Sequence, residues 1–273
     1  MQKSNHSRTA RAEIHFACLF GVDYELDLMP YWIEHWVSHR LDRYKVFLHR
    51  ESGVIDPAII DTFKRAGFDV ECLSGPHSNG LLRGCALSNY AANMDANDFL
   101  VTADADEYHL INYHDILSTG VSQYAPAKYD IVTGFMVDRY GDSLQACNKD
   151  PFDQYCYEEP FTKEILKNFT PPYLRNTAWP FTMRTKILAC KAGMESTYAG
   201  SHTMKAVPSG ARILTDRKVY HFAWRESASK KAAVKTYYSE DNLFELFAGK
   251  IPEKNIRHFK ELKTSEKCQE IFI

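Results

Sequence analysis

The sequence predicts an α/β fold: a mostly parallel central sheet with helices on both faces. Two observations carry this. Short apolar runs alternate with amphipathic runs through the first hundred residues, which specifies βαβ units with right-handed crossovers. Proline near the start and glycine at the end punctuate the second amphipathic run, as helix boundaries do.

The elements follow in order. EIHFACLF (13–20) reads as a buried strand, PYWIEHWVSHR (30–40) as a helix with Pro30 in its first turn, and YKVFLH (44–49) as the second strand. PAIIDTFKRAG (57–67) is a helix from Pro57 to Gly67, FDVECL (68–73) a strand, LLRGCALSNYAANM (81–94) a helix, and DFLVTA the fourth strand. Trp32 and Trp36, one helical turn apart, belong to the core. Beyond residue 125, YDIVTGFMV (129–137) is a strand, while residues 141–182, rich in Asp, Pro, Tyr and Asn, predict long loops of the kind that bind substrate. FTMRTKILAC (181–190) and ARILTDRKVYHFAW (211–224) return to strand character, and SASKKAAVKTYYSEDNLFELFAGK is helical.

With 273 residues, 45% of them hydrophobic, the chain can bury one substantial core, so the expectation is a single domain over 1–273. Within it, 13–110 forms a nucleotide-binding half, 125–225 an acceptor-binding half and 226–273 a helical segment and tail. Thirty-three Lys and Arg against 35 Asp and Glu leave a net charge of -2, which gives no electrostatic reason to expect nucleic acid. No run approaches the roughly 20 apolar residues that cross a bilayer, and the polar start is no secretion signal. A soluble, cytoplasmic chain is expected, either free or peripheral to a membrane. The seven cysteines show no CxxC or CxH pairing and read as buried thiols rather than zinc ligands.

The stretch FLVTADADEYHL (99–110) runs a buried strand straight into Asp104, Asp106 and Glu107. In open parallel sheets, ligands sit beyond the carboxyl ends of the strands, and oxygen ligands suit hard divalent ions that keep positions open for phosphates. Capping of a following helix is the ordinary alternative for such acids.

These residues resemble the GT-A (Rossmann-like) glycosyltransferases of the family 2-like branch. Asp104-Ala105-Asp106-Glu107-Tyr108 is similar to that branch's D-x-D-E-[FY] motif. FACLFGVDYELDLMPYWIEHWVSHRLDRYKVFLHRES resembles its opening strand, acidic loop, helix and second strand. GFMVDRYGD (134–142) resembles its G-x-x-x-D-R segment, and GSH (200–202) with VYHFAW (219–224) its late histidines. The resemblance implies metal-dependent, inverting transfer of a sugar from a nucleotide donor, commonly a UDP-sugar, to an acceptor hydroxyl of a glycan.

It also implies roles. Mn²⁺ or Mg²⁺ is held by Asp106 with Asp104, and His221 or His202 completes the site; Asp104 alternatively touches the ribose, and Glu107 supports its neighbours. Arg83 faces the diphosphate, Asn89 matches the family's asparagine in that helix, and Phe20, Gly21, Asp23, Glu25, His49, Arg50 and Glu51 line the donor loops. Asp138 is the first choice of general base and Glu195 the second; Tyr155, Tyr157, Tyr173 and Trp179 are candidates for stacking on the acceptor. Two rival readings stand beside it. A haloacid-dehalogenase-type phosphatase would follow its D-x-D with glycine and carry a later GDxxxD, where this chain has GDSLQA. A non-catalytic nucleotide-sugar-binding or scaffold protein would not need the acids and late histidines together.

Overall fold

The computed structural model describes residues 12–75, 81–117, 129–141, 145–158, 185–192, 211–222, 225 and 269–270. The fold is α/β, with parallel pairing dominant through its first half. β1 (Ile14–Gly21), β2 (Arg43–His49), β3 (Asp69–Leu73) and β4 (Phe99–Thr102) lie in the order β3-β2-β1-β4, all parallel. Between them run α1 (Val22–Glu25), α2 (Met29–Ser38), α3 (Pro57–Arg65) and α4 (Leu81–Ala91).

Alternation along each strand decides which helix lies on which face. Phe16, Cys18 and Phe20 of β1, Val46 and Leu48 of β2, and Phe99 and Val101 of β4 join one core with Trp32 and Trp36 of α2 and Phe63 of α3. The intervening Ala17, Phe47 and Leu100 form a second core with Ala86 and Leu87 of α4. Helices therefore cover both faces. The larger core is dense in aromatic rings, with Phe16 stacked on Trp36 at 4.0 Å and Trp32 edge-on to Phe20 and Phe63. Asp56 caps α3 by accepting from the Ala58 amide at 2.8 Å, and Pro57 opens it, as the sequence predicts.

The second half departs from simple βαβ repetition. β5 (Glu107–Tyr108) and α5 (Tyr113–Leu117) follow the acidic stretch directly. β6 (Ile131–Tyr140), α6 (Pro151–Gln154), β7 (Tyr157–Glu158), β8 (Thr185–Lys191), β9 (Ile213–His221) and β10 (Gln269–Glu270) complete the elements. β8 inserts antiparallel between β4 and β6, while β9 runs parallel to β6 and antiparallel to β5. The expected loop region thus contains α6 and β7, and the short β5 and α5 were hidden because neither is long enough to show a period. The C-terminal helical stretch and residues 1–11 fall outside the described residues.

Candidate functional site

The β4 carboxyl end delivers the acidic stretch to the edge of the sheet, and the strands of the second half close around it. Glu107 pairs with His221 across β5–β9, and His221 pairs with Asp138 across β9–β6. Residues directly opposite in neighbouring strands project to the same face, so three ionisable side chains from three strands share one surface. The Asp106 carbonyl accepts from the Phe222 amide at 2.8 Å, which fixes the acidic turn to the end of β9.

The acids divide into two groups. Asp104 lies between two cations, with Oδ2 2.6 Å from Lys186 Nζ and Oδ1 2.8 Å from Arg83 Nε. Lys186 also meets Glu107 Oε1 at 2.7 Å, and Glu107 Oε2 accepts from the Asp104 amide at 2.9 Å. Lys186, Glu107 and Arg83 are all buried. Burial alone would pull the Lys186 ammonium down, but Asp104 and Glu107 outweigh it and hold it above its ordinary range. Asp106 instead faces His221, whose Nε2 is 3.7 Å from Asp106 Oδ2. The other nitrogen, Nδ1, meets Asp138 Oδ1 at 2.7 Å. Burial opposes the charge on this imidazole, yet Asp106 and Asp138 prevail and raise it above its usual value.

A divalent ion fits this second group. Ligand atoms at about 2.1 Å from one ion stand roughly 3.0–3.4 Å apart, so 3.7 Å between Asp106 Oδ2 and His221 Nε2 needs only a small side-chain adjustment. A histidine that offers one nitrogen while a carboxylate orients the other is the common outer-shell arrangement of metal ligands. Asp104 is placed differently, with each oxygen against a buried cation.

The loop residues are more dispersed. The ring of Phe20 is fully buried against Trp32 and Phe63, so it is a core side chain with no surface to offer a base. Glu25 is also fully buried and ion-paired with Arg225, which holds Asp27 as well and donates from Nε to the Phe222 carbonyl at 2.6 Å. Its carboxylate is a strut that ties the loop after β1 to the segment after β9, not a lining residue. Asp23 and Arg50 do meet, at 3.0 Å, which brings the loops after β1 and β2 together. His49 is buried at the end of β2, with Nε2 2.9 Å from the Gly75 carbonyl oxygen. Asn89 is exposed on α4.

Tyr155 is corrected from acceptor platform to core. It is 1% exposed, packs on Phe222 at 5.8 Å and donates to the Gln145 carbonyl. His202, Glu195, Tyr173, Trp179 and the side chain of Tyr157 lie outside the described residues. Sequence reading missed Lys186, Arg225 and Asp27. A lysine inside the apolar run TKILAC was a visible signal, since a charge in a buried strand demands a partner.

No family model matches the chain, and no curated protein matches its sequence. Distant likenesses exist among solved structures. S. aureus TarS is 11% identical with a TM-score of 0.42, over 93% of this chain and 44% of that one, so the chain spans less than half of TarS. TarS 1–349 in complex with UDP is 13% identical with a TM-score of 0.41, covering 92% of this chain and 73% of that chain. The inositol-1-phosphate CTP transferase from T. maritima is 8% identical with a TM-score of 0.39, covering 88% and 96%. No helix among the described residues is long and apolar enough to cross a membrane.

Proposed function

We propose that the chain is a metal-dependent glycosyltransferase that moves a sugar from a nucleotide donor, a UDP-sugar in the first instance, to an acceptor hydroxyl of a glycan with inversion. One observation carries the reading: Asp106 of a D-x-D turn faces His221, which Asp138 orients, at the carboxyl edge of a parallel sheet. Apposition of two ligand types from β-elements more than a hundred residues apart is not what a helix-capping acid needs.

Asp106 and His221 would hold Mn²⁺ or Mg²⁺, and the ion would supply Lewis-acid stabilisation of the departing diphosphate. Asp138 keeps His221 in the tautomer that presents Nε2. Lys186 and Arg83 fix Asp104 and add positive charge beside the turn, where the leaving group accumulates negative charge. Glu107 shapes the turn by accepting from the Asp104 amide. Because Asp138 Oδ1 is engaged by His221, Asp138 is favoured as the orienting group, and the base falls to Glu195.

A panel of nucleotide sugars with Mn²⁺ tests the proposal through binding and slow donor hydrolysis. Turnover that falls by about 10²–10³ in Asp106→Asn, with circular dichroism and melting temperature retained, supports it. Neither binding nor turnover by the wild-type protein, or full activity in the variant, sinks it.

A further inference from the structure

The opposite edge of the same sheet carries another group of ligand-type side chains. Glu13 precedes β1, His15 is its second residue, and Asp98 immediately precedes β4. Their ligand atoms all lie within 4.8 Å of one another, and among the described residues this is the group of three that meets that condition. β1 and β4 run away from this edge toward the acidic turn, so the two places are separated by a strand length, on the order of 20 Å.

We infer that Glu13, His15 and Asp98 form a binding site for a divalent ion of the Zn²⁺ class, distinct from the acidic turn. Nε2 of His15 is 3.2 Å from Glu13 Oε2 and 3.6 Å from Asp98 Oδ2. The first falls within the roughly 3.0–3.4 Å expected of ligands sharing one ion, and the second stands just above it. Nδ1 of His15 is 3.0 Å from the Tyr90 hydroxyl on α4. The tautomer that donates Nδ1–H to the Tyr90 oxygen turns the Nε2 lone pair toward two carboxylates. A metal ion between the three side chains takes up that lone pair; in the other tautomer Nε2–H donates to Glu13 and Nδ1 accepts from the Tyr90 hydroxyl.

The site is preorganised. His15 and Asp98 are each 9% exposed, and the Glu13 amide donates to Asp98 Oδ1 at 2.7 Å, which locks the strand starts together. Arg43, beside His15 in the β1–β2 register, pairs with Glu13 Oε2 at 3.2 Å and keeps that carboxyl below its usual range, so it is ionised and ready to ligate. Both partners of that pair are substantially exposed, and such pairs contribute little, so a metal ion displaces Arg43 readily. One imidazole and two carboxylates favour Zn²⁺ over Ca²⁺ or Mg²⁺, with water in the fourth position. Since the three ligands converge only in the folded chain, bound Zn²⁺ stabilises the fold by mass action.

The full chain, stripped with chelator, is titrated with Zn²⁺ by calorimetry and followed by thermal unfolding; Co²⁺ serves as an optical probe of coordination. One Zn²⁺ per chain is expected in Asp106→Asn, with a raised melting temperature, and up to one more in wild type, where the acidic turn also offers ligands to a divalent ion. Affinity is expected to fall at least tenfold in His15→Gln and in Glu13→Gln, and about tenfold in Tyr90→Phe. Glu13 is exposed enough that its variant keeps the fold even where His15→Gln does not. The inference is overturned if wild type binds no Zn²⁺ at stoichiometric protein concentration, which leaves His15 merely hydrogen-bonded to its neighbours. It is also overturned if Glu13→Gln binds as wild type, or if the bound Zn²⁺ disappears only with Asp106→Asn.

Discussion

The two halves of the sheet are built from different materials. From β1 to β4 the strands bury alternating apolar side chains against helices next to them in sequence, and Phe16, Phe20, Trp32, Trp36 and Phe63 meet within a stretch of about fifty residues. From β5 to β9 the strands bury charge: Glu107, Asp138, Arg139, Lys186 and, just beyond, Arg225 are nearly inaccessible. Their partners are distant in sequence, 82 residues for Lys186 and Asp104 and 83 for His221 and Asp138. The first half is a scaffold held chiefly by apolar packing. The second is a charge-balanced construction in which each member requires the others.

The largest expected effect breaks that balance directly. Lys186→Met leaves Asp104 and Glu107 without the buried cation between them, and loss of one member of a buried ion pair costs about 3–5 kcal/mol. Urea denaturation measures it. Adding Glu107→Gln to that variant removes one uncompensated charge and is expected to restore part of the loss. A cost under about 1 kcal/mol for Lys186→Met would show that the second half does not depend on its buried charges.

This contrast explains what the sequence revealed. Periodicity located β1 to β4 and α2 to α4 to within a few residues, because each element's burial is decided by its own alternation and by Pro57 and its Asp56 cap. The position of the acidic turn at the end of β4 was legible from residue type and spacing, and the resemblance pointed to His221, which the structure places 3.7 Å from Asp106. Lys186 was signalled only as a charge in a buried strand; its partners were not legible, nor were Arg225 and the engagement of Asp138 by His221, because long-range strand pairing determines them, and nothing local indicates that β8 enters antiparallel between β4 and β6. Phe20 and Glu25 misled for a related reason: they sit at the ligand edge in sequence but turn inward, one to the aromatic core and the other to Arg225.

A smaller effect probes how tightly the second half is packed where it is not charged. Gly134 of β6 is crossed by its neighbours, and a Cβ there would stand 2.7 Å from Leu188 Cδ1 and 2.9 Å from the Arg217 carbonyl oxygen. The backbone oxygen cannot rotate aside, so Gly134→Ala is expected to cost about 1–3 kcal/mol through overpacking. The β6 ladder changes register next to this glycine, which is consistent with a strand shaped around close approach. A neutral Gly134→Ala in urea denaturation would mean that β8 and β9 can move apart, and that the charges alone hold this half in place.

The smallest effect, read per histidine and per pH unit, lies where the halves meet. His35 and His39 of the α2 region pack under His109, just after the acidic turn. His35 Nε2 receives the His109 amide at 3.1 Å and lies 3.3 Å from His39 Nε2, while His109 Nδ1 meets the Tyr113 hydroxyl at 2.7 Å. Burial, with His39 adding repulsion, holds His35 down to about 3, and burial also lowers His39 and, much further, His109. The unfolded chain therefore binds protons below about pH 6.5 that the folded chain does not, so stability falls as pH falls through that value, by about 1.4 kcal/mol per pH unit for each histidine kept neutral. His221, raised by Asp106 and Asp138 against the effect of burial, acts in a separate window: its contribution is fully present below about pH 6.5 and is lost as pH rises above that value, so it adds no slope where the other three act. Urea midpoints at pH 6.5, 6.0 and 5.5 should decline progressively. His35→Gln, whose amide oxygen can still accept from the His109 amide, should flatten that decline by one histidine's share. An unchanged slope in the variant would mean that the junction takes up protons without opening, and that the two halves are joined by packing rather than by these neutral rings.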